Sequence, residues 1–165
     1  MSRATISARI KVNLGTAGCS NIYERKRWTN NEDKFRSIFK KTVNGVTHIE
    51  GWFIQRVNTQ EQFLTNRENL FVHTWHIQGI YGIDDDADSE TTFQDLIETI
   101  CTTFRGDWHL NSTCENINPN WGPGSGRGGI QVDLVDERMF CRKILCHHCD
   151  LSLYTQERVD RSRIA

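Results

Sequence analysis

The sequence predicts an α+β domain: a single, largely antiparallel β-sheet packed by an N-terminal helix and a long amphipathic helix at about 89–105. Three observations carry that expectation. Apolar residues alternate through 70–83, LFVHTWHIQGIYGI, and again in the last third of the chain, with the two-residue period of a half-buried strand. Between these stretches Phe93, Leu96, Ile97, Ile100, Cys101 and Phe104 recur at the three- and four-residue spacing of a helix lying on a sheet. Finally, 165 residues that are 37% apolar and 25% charged have the size and composition of one globular domain spanning 1–165, without internal repeat.

At the N-terminus Ile6, Ile10 and Leu14 are spaced by four, a narrow apolar stripe on a short helix over 2–14. Ser2 is placed to cap it, and Gly15 and Gly18 to end it. A second helical turn is expected at 32–40, where Phe35, Ile38 and Phe39 share a face, followed by a turn at VNG, 43–45. Residues 47–57, THIEGWFIQRV, read as a strand with Trp52, Ile54 and Arg56 on one face and Ile49, Phe53 and Val57 on the other. In the 70–83 strand, Phe71, Trp75, Ile77, Tyr81 and Ile83 form one buried face, and Thr74, His76 and Gln78 point away from it. At the start of the long helix Asp88 and Ser89 are placed to accept from free backbone N–H groups, with Glu90 at the positive end of the dipole. Residues 106–129, rich in Gly, Asn and Pro, read as a long flexible loop, which is uncommon inside a compact domain unless it serves a function. Two strands close the chain, GIQVDLV with Ile130, Val132 and Leu134 alternating, and FCRKILCHHCDLSLYTQ, joined by a turn or bulge at DERM, 136–139.

Twenty basic and twenty-one acidic residues are interspersed, for a net charge of −1. That balance argues against a nucleic-acid or anionic-membrane surface, and Arg25, Lys26 and Arg27 read as solvated charge. No stretch approaches the ~20 apolar residues of a membrane span. The first fourteen residues lack the apolar core of an export signal, so synthesis in the cytoplasm is expected, with the six cysteines as free thiols packed like small hydrophobes.

CRKILCHHCD, 141–150, raises the question of zinc. On a strand Cys141, Lys143, Leu145, His147, Cys149, Leu151 and Leu153 line one face, and Ile144, Cys146, His148 and Asp150 the other. Four ligands then do not converge on one ion, and packed thiols are the plainer reading, with a small zinc-binding module as the alternative. Asp84, Asp86 and Asp88 match the first three ligand positions of a calcium loop, but Ser89 and Asp95 stand where its Gly and Glu belong. GPGSGRGG, 122–129, has dinucleotide-like glycine spacing but precedes a strand instead of opening a helix, so it reads as a flexible linker in which Arg127 could touch a phosphate. His73 falls on a buried strand face and reads as a hydrogen-bonded core residue. The chain has no nucleophile elbow, phosphate loop or H-E-x-x-H, so no catalytic residue and no cofactor is nominated.

Three segments, NGVTHIEGWFIQR at 44–56, HTWHIQGIYGIDDDADSETTFQDLIETICTTFR at 73–105 and IQVDLVDERMFCRKILCHHCDLSLYTQE at 130–157, together with the element order, resemble the small tail-terminator (tail-completion) proteins of tailed bacteriophages. The resemblance implies a non-enzymatic α+β subunit of a six-membered ring. Such a ring caps the head-proximal end of the tail tube, stops its polymerisation and offers a surface to the head–tail connector. The implied partners are further copies of itself, the tail tube protein and a neck protein, with virion localisation and with DNA passing through the lumen. Another neck protein, a head-completion or stopper subunit, is the nearest alternative. Trp108 and Trp121, set in a polar loop, and Arg127 are the candidate interface residues; the two indoles either anchor a partner or fold back onto their own subunit.

Overall fold

The computed structural model describes residues 3–43, 45–126 and 128–160; Ser2 and Asn44, invoked above as a cap and a turn residue, lie outside them. Helix α1, Arg3–Thr16, buries Ile6, Ile10 and Leu14. It runs one residue past Gly15 and stops at Gly18, where φ is +98°. There Cys19 N–H donates to Leu14 O and Gly18 N–H to Gly15 O, both at 3.0 Å, the paired bonds of a Schellman end. Helix α2, Glu32–Ile38, is capped by Asn31, whose side chain accepts from Lys34 N at 2.8 Å.

The strands are β1 (Ile22–Tyr23), β2 (Lys40–Val43), β3 (Val46–Phe63), β4 (Glu68–Gly82), β5 (Ile130–Phe140) and β6 (Ile144–Asp160), with helix α3 over Ser89–Gly106. They form one mixed, mostly antiparallel sheet in the order β1-β3-β4-β6-β5, with β2 also on β3 and only the two-residue β1 running parallel to its neighbour. The fold is α+β, as the periodicities predict.

Alternation along these strands divides the interior into two cores. On one face α1 and α3 cover Trp52, Ile54, Trp75, Ile77, Cys149, Leu151 and Leu153. On the other, at one end of the sheet, Phe35 and Phe39 close over Ile49, Phe53, Ile80, Ile144 and Cys146. Each fully buried side chain of this size contributes about 1.5–3 kcal/mol. Gly79 is required by the packing: a Cβ there would lie 2.5 Å from the Trp52 ring and 2.8 Å from Cys149 Sγ. All six cysteines are free thiols, and burial pushes those of Cys114 and Cys146 up to about 12.

Several local expectations are corrected. Strand β4 is covered on both faces, because Leu70 and Val72 are also buried, opposite Trp75. Strand β3 runs on to Phe63, and an irregularity between Arg56 and Asn58 leaves Val57 exposed. Asp88 makes no side-chain cap; its backbone is left-handed, φ 48°, and not in the extended conformation from which a cap reaches the next turn. Ser89 does not cap the helix either, because its Oγ accepts from Asp84 N at 2.8 Å and meets His147 Nε2 at 3.0 Å. DERM is strand, and the hairpin turns instead at Cys141 and Arg142, both with positive φ. The bulge in β5 lies between Val132 and Leu134, so these two do not share a face.

The segment 106–129 carries no helix or strand but is tied to the body. Leu110, Cys114 and Ile117 enter the main core. Glu115 N–H donates to Gln156 O at 2.7 Å and Gln156 N–H to Asn116 O at 2.9 Å, extending the β6 edge where β5 ends. Gly122 and Gly124, both with positive φ, lie against Val72 and the Tyr154 ring, positions that leave no room for a side chain.

Candidate functional site

A sheet with unequal neighbours leaves backbone unpaired at its borders. Strand β1 covers β3 only at Trp52 and Phe53, and β2 only from Val46 to Ile49. From Ile54 to Phe63 the outer edge of β3 therefore has no strand beside it among the described residues. Strand β5 ends the sheet on the other side and is open along its outer edge. Exposed apolar side chains gather at these borders: Val57, Phe63 and Leu64 on the β3 side, Val132, Leu134 and Met139 on β5. Water would ordinarily disfavour such a concentration at two strand borders, and it marks surfaces built to be covered.

The β5 border is held by a polar network on the sheet face away from α3. His148, 1% exposed at the side chain, sets Nδ1 2.8 Å from Asp136 Oδ1 and Nε2 3.6 Å from Asp150 Oδ1. Gln78 Nε2 donates to Asp150 Oδ1 at 2.8 Å, and His76 Nε2 lies 3.3 Å from the same oxygen. Arg138 bridges Asp136 Oδ2 at 3.1 Å and Asp150 Oδ2 at 3.5 Å. Burial alone would raise the Asp136 carboxyl, but the hydrogen bonds and charges of His148 and Arg138 outweigh it and hold it below its ordinary value. The network fastens edge strand β5 to β6 and β4, so the border is a rigid surface and not a fraying one. Sequence reading missed it because placing the turn at 136–139 removed Asp136 and Arg138 from the strand that faces His148 and Cys146.

The residues singled out in the sequence are distributed as follows. Cys146 lies in the smaller core and Cys149 in the larger, on opposite faces, while His147 is bound to Ser89 and His148 to Asp136. Cys141, placed on the Cys149 face by strict alternation, instead sits in the turn against the smaller core, where its Sγ donates to Thr29 O at 3.1 Å. Among the described residues no group of three or more His, Cys, Asp or Glu side chains is arranged to hold a metal ion. His73 is 3% exposed, with Nδ1 2.8 Å from Thr59 Oγ1 and Nε2 3.2 Å from Glu157 Oε1, a hydrogen-bonded core histidine as expected. Among the described residues no helix is long and apolar enough to cross a membrane.

Of the candidate interface residues, Arg127 lies outside the described residues. Trp121 is half-buried against its own subunit. Trp108 is 53% exposed and lines a cleft of about 460 Å³ between the C-terminal end of α3 and the start of β5. Cys101, Arg105, Ile117, Gly129 and Ile130 also line it. The two tryptophans, equivalent in sequence context, thus separate into one that packs inward and one that faces outward. No protein-family model matches the chain, and no curated protein matches its sequence.

Proposed function

We propose that the chain is a structural virion protein, a phage tail terminator whose copies join edge to edge into a closed ring. The observation that carries this reading is the pair of open, apolar-bearing borders at opposite sides of one sheet. Different surfaces on opposite sides make a head-to-tail contact, and such contacts repeat around an axis until they close. The resemblance of 44–56, 73–105 and 130–157 to tail-terminator proteins supplies the identity of the ring. Six copies sit on the head-proximal end of the tail tube, block further addition of tube protein, and present a surface to the connector. No chemistry is assigned to the chain; its work is geometric.

Native mass spectrometry of the purified chain, followed by its addition to growing tail tubes, tests the reading. A six-copy ring that binds tube ends and shortens the tubes is the expected result. A chain that remains monomeric and leaves tube length unchanged sinks it.

A further inference from the structure

The borders differ in shape as well as in position. The β3–β4 hairpin ends in an apolar knob, with Phe63 57% and Leu64 38% exposed. Its tip is internally ordered: Leu64 and Thr65 N–H both donate to Glu68 O at 3.1 Å, and Thr65 Oγ1 accepts from Arg67 N at 3.2 Å and Glu68 N at 3.1 Å. A preorganised knob loses little freedom on docking. On the opposite side of the sheet, beside the β5 border, lies the cleft of about 460 Å³, within the ~300–1,000 Å³ of sites that enclose compact groups. Its floor is Ile117 and Ile130 and its wall is the exposed indole of Trp108.

We infer that Phe63 and Leu64 of one copy dock in the Trp108 cleft of the next, an inference that rests on the ring reading above. Strand register places knob and cleft toward the same end of the sheet. Phe63 pairs with Asn69 and thence with Val159, while the cleft's Ile130 pairs with Leu153 and its neighbour Asn116 with Gln156. Copies standing side by side therefore present the hairpin tip of one toward the cleft of the other. Charge agrees with this pairing: Arg105 on the rim has no ion-pair partner among the described residues, and Glu61 lies two residues before the knob. An aromatic wall around an inserted aromatic is the composition of an interface hot spot. The cleft belongs to the loop 106–129 and the knob to a hairpin more than forty residues away in sequence, so neither completes the other within one chain.

Phe63→Asp and Trp108→Ala separate the possibilities, because each replaces a side chain that is more than half exposed and leaves the fold intact. Sedimentation velocity is run on the wild type, on each variant, and on their equimolar mixture, with thermal melts as the check on folding. The expected result is an assembled wild type, at least ~30-fold weaker self-association of each variant, and unchanged melts. The mixture stops at a heterodimer, since only the Phe63 knob of one variant and the intact cleft of the other remain. Variants that assemble like the wild type, or a mixture that stays monomeric, overturn the docking and leave the ring reading standing. A wild type that stays monomeric at every concentration overturns both.

Discussion

Asp107 joins three parts of the molecule through one carboxylate. It follows the last turn of α3, where the helix dipole disfavours a negative charge, yet it accepts from Arg9 Nε at 3.0 Å and Nη2 at 2.9 Å, from Asn13 Nδ2 at 3.0 Å and from Asn111 N at 2.7 Å. Burial would raise this carboxyl. The Asn111 backbone bond, the Asn13 and Arg9 hydrogen bonds and the Arg9 charge outweigh it, and the carboxyl sits below its ordinary value. A depressed folded-state value means that the stabilisation is fully present above the unfolded value of about 3.9 and is lost as pH falls through the folded one. Asp107→Asn is therefore expected to lower stability by about 1–2 kcal/mol at neutral pH. The difference from wild type shrinks below about pH 4, which urea unfolding at pH 7 and pH 3 measures. An equal deficit at both pH values would assign the loss to packing instead of charge.

At the scale of elements, the β5–β6 hairpin holds the clearest local strain. Arg142 has φ 61° and Cys141 φ 51°, values that cost a non-glycine residue about 1–2 kcal/mol each where nothing compensates. Cys141 is compensated by its bond to Thr29 O and its place against the smaller core; Arg142 makes neither contact. Arg142→Gly is expected to add about 0.5–1 kcal/mol, a rise of roughly 1–4 °C in the melting temperature. Arg138→Gly, in the stretch where the sequence pattern points to a turn, lowers it by removing both ion pairs from a strand interior. The contrast shows what a sequence can carry. Helices α1 and α3 and strands β4 and β6 are legible because their apolar periods are long, and the Phe35–Phe39 face of α2 because its phenylalanines are close together. A turn made from Cys and Arg has no Asn–Gly signature, and its position decided whether Asp136 and Arg138 could be seen beside His148. Glu50, fully buried in β3, was equally invisible, since its partners Lys41, Ser20 N and Trp52 Nε1 meet it only through the fold. Loop 106–129 hid its anchors because Leu110, Cys114 and Ile117 follow no regular period.

For the molecule as a whole, the open borders raise a problem that assembly solves. A sheet with two exposed edges invites uncontrolled pairing unless charge, bulges or a partner blunt them. Here β5 carries a bulge at Asp133 and the clamp of His148 on Asp136, yet Val132 and Leu134 remain 46% and 41% exposed beside it. A ring covers both borders of every copy at once, whereas an isologous dimer covers one and leaves the other bare. The location of the apolar residues, more than their exposure, should then decide assembly. Val132 on the β5 border and Val12 on α1 are 46% and 50% exposed, so a lysine at either costs the isolated subunit little. Val132→Lys is expected to prevent ring formation by placing a charge in the contact, and Val12→Lys to leave the ring intact, with both subunits melting within ~2 °C of wild type. Size-exclusion chromatography with light scattering distinguishes them. If Val132→Lys assembles as well as Val12→Lys, the β5 border is not the junction. The exposed apolar residues on the hairpin and α1 would then have to form it, and the edge-to-edge geometry would give way to a contact made by projecting elements alone.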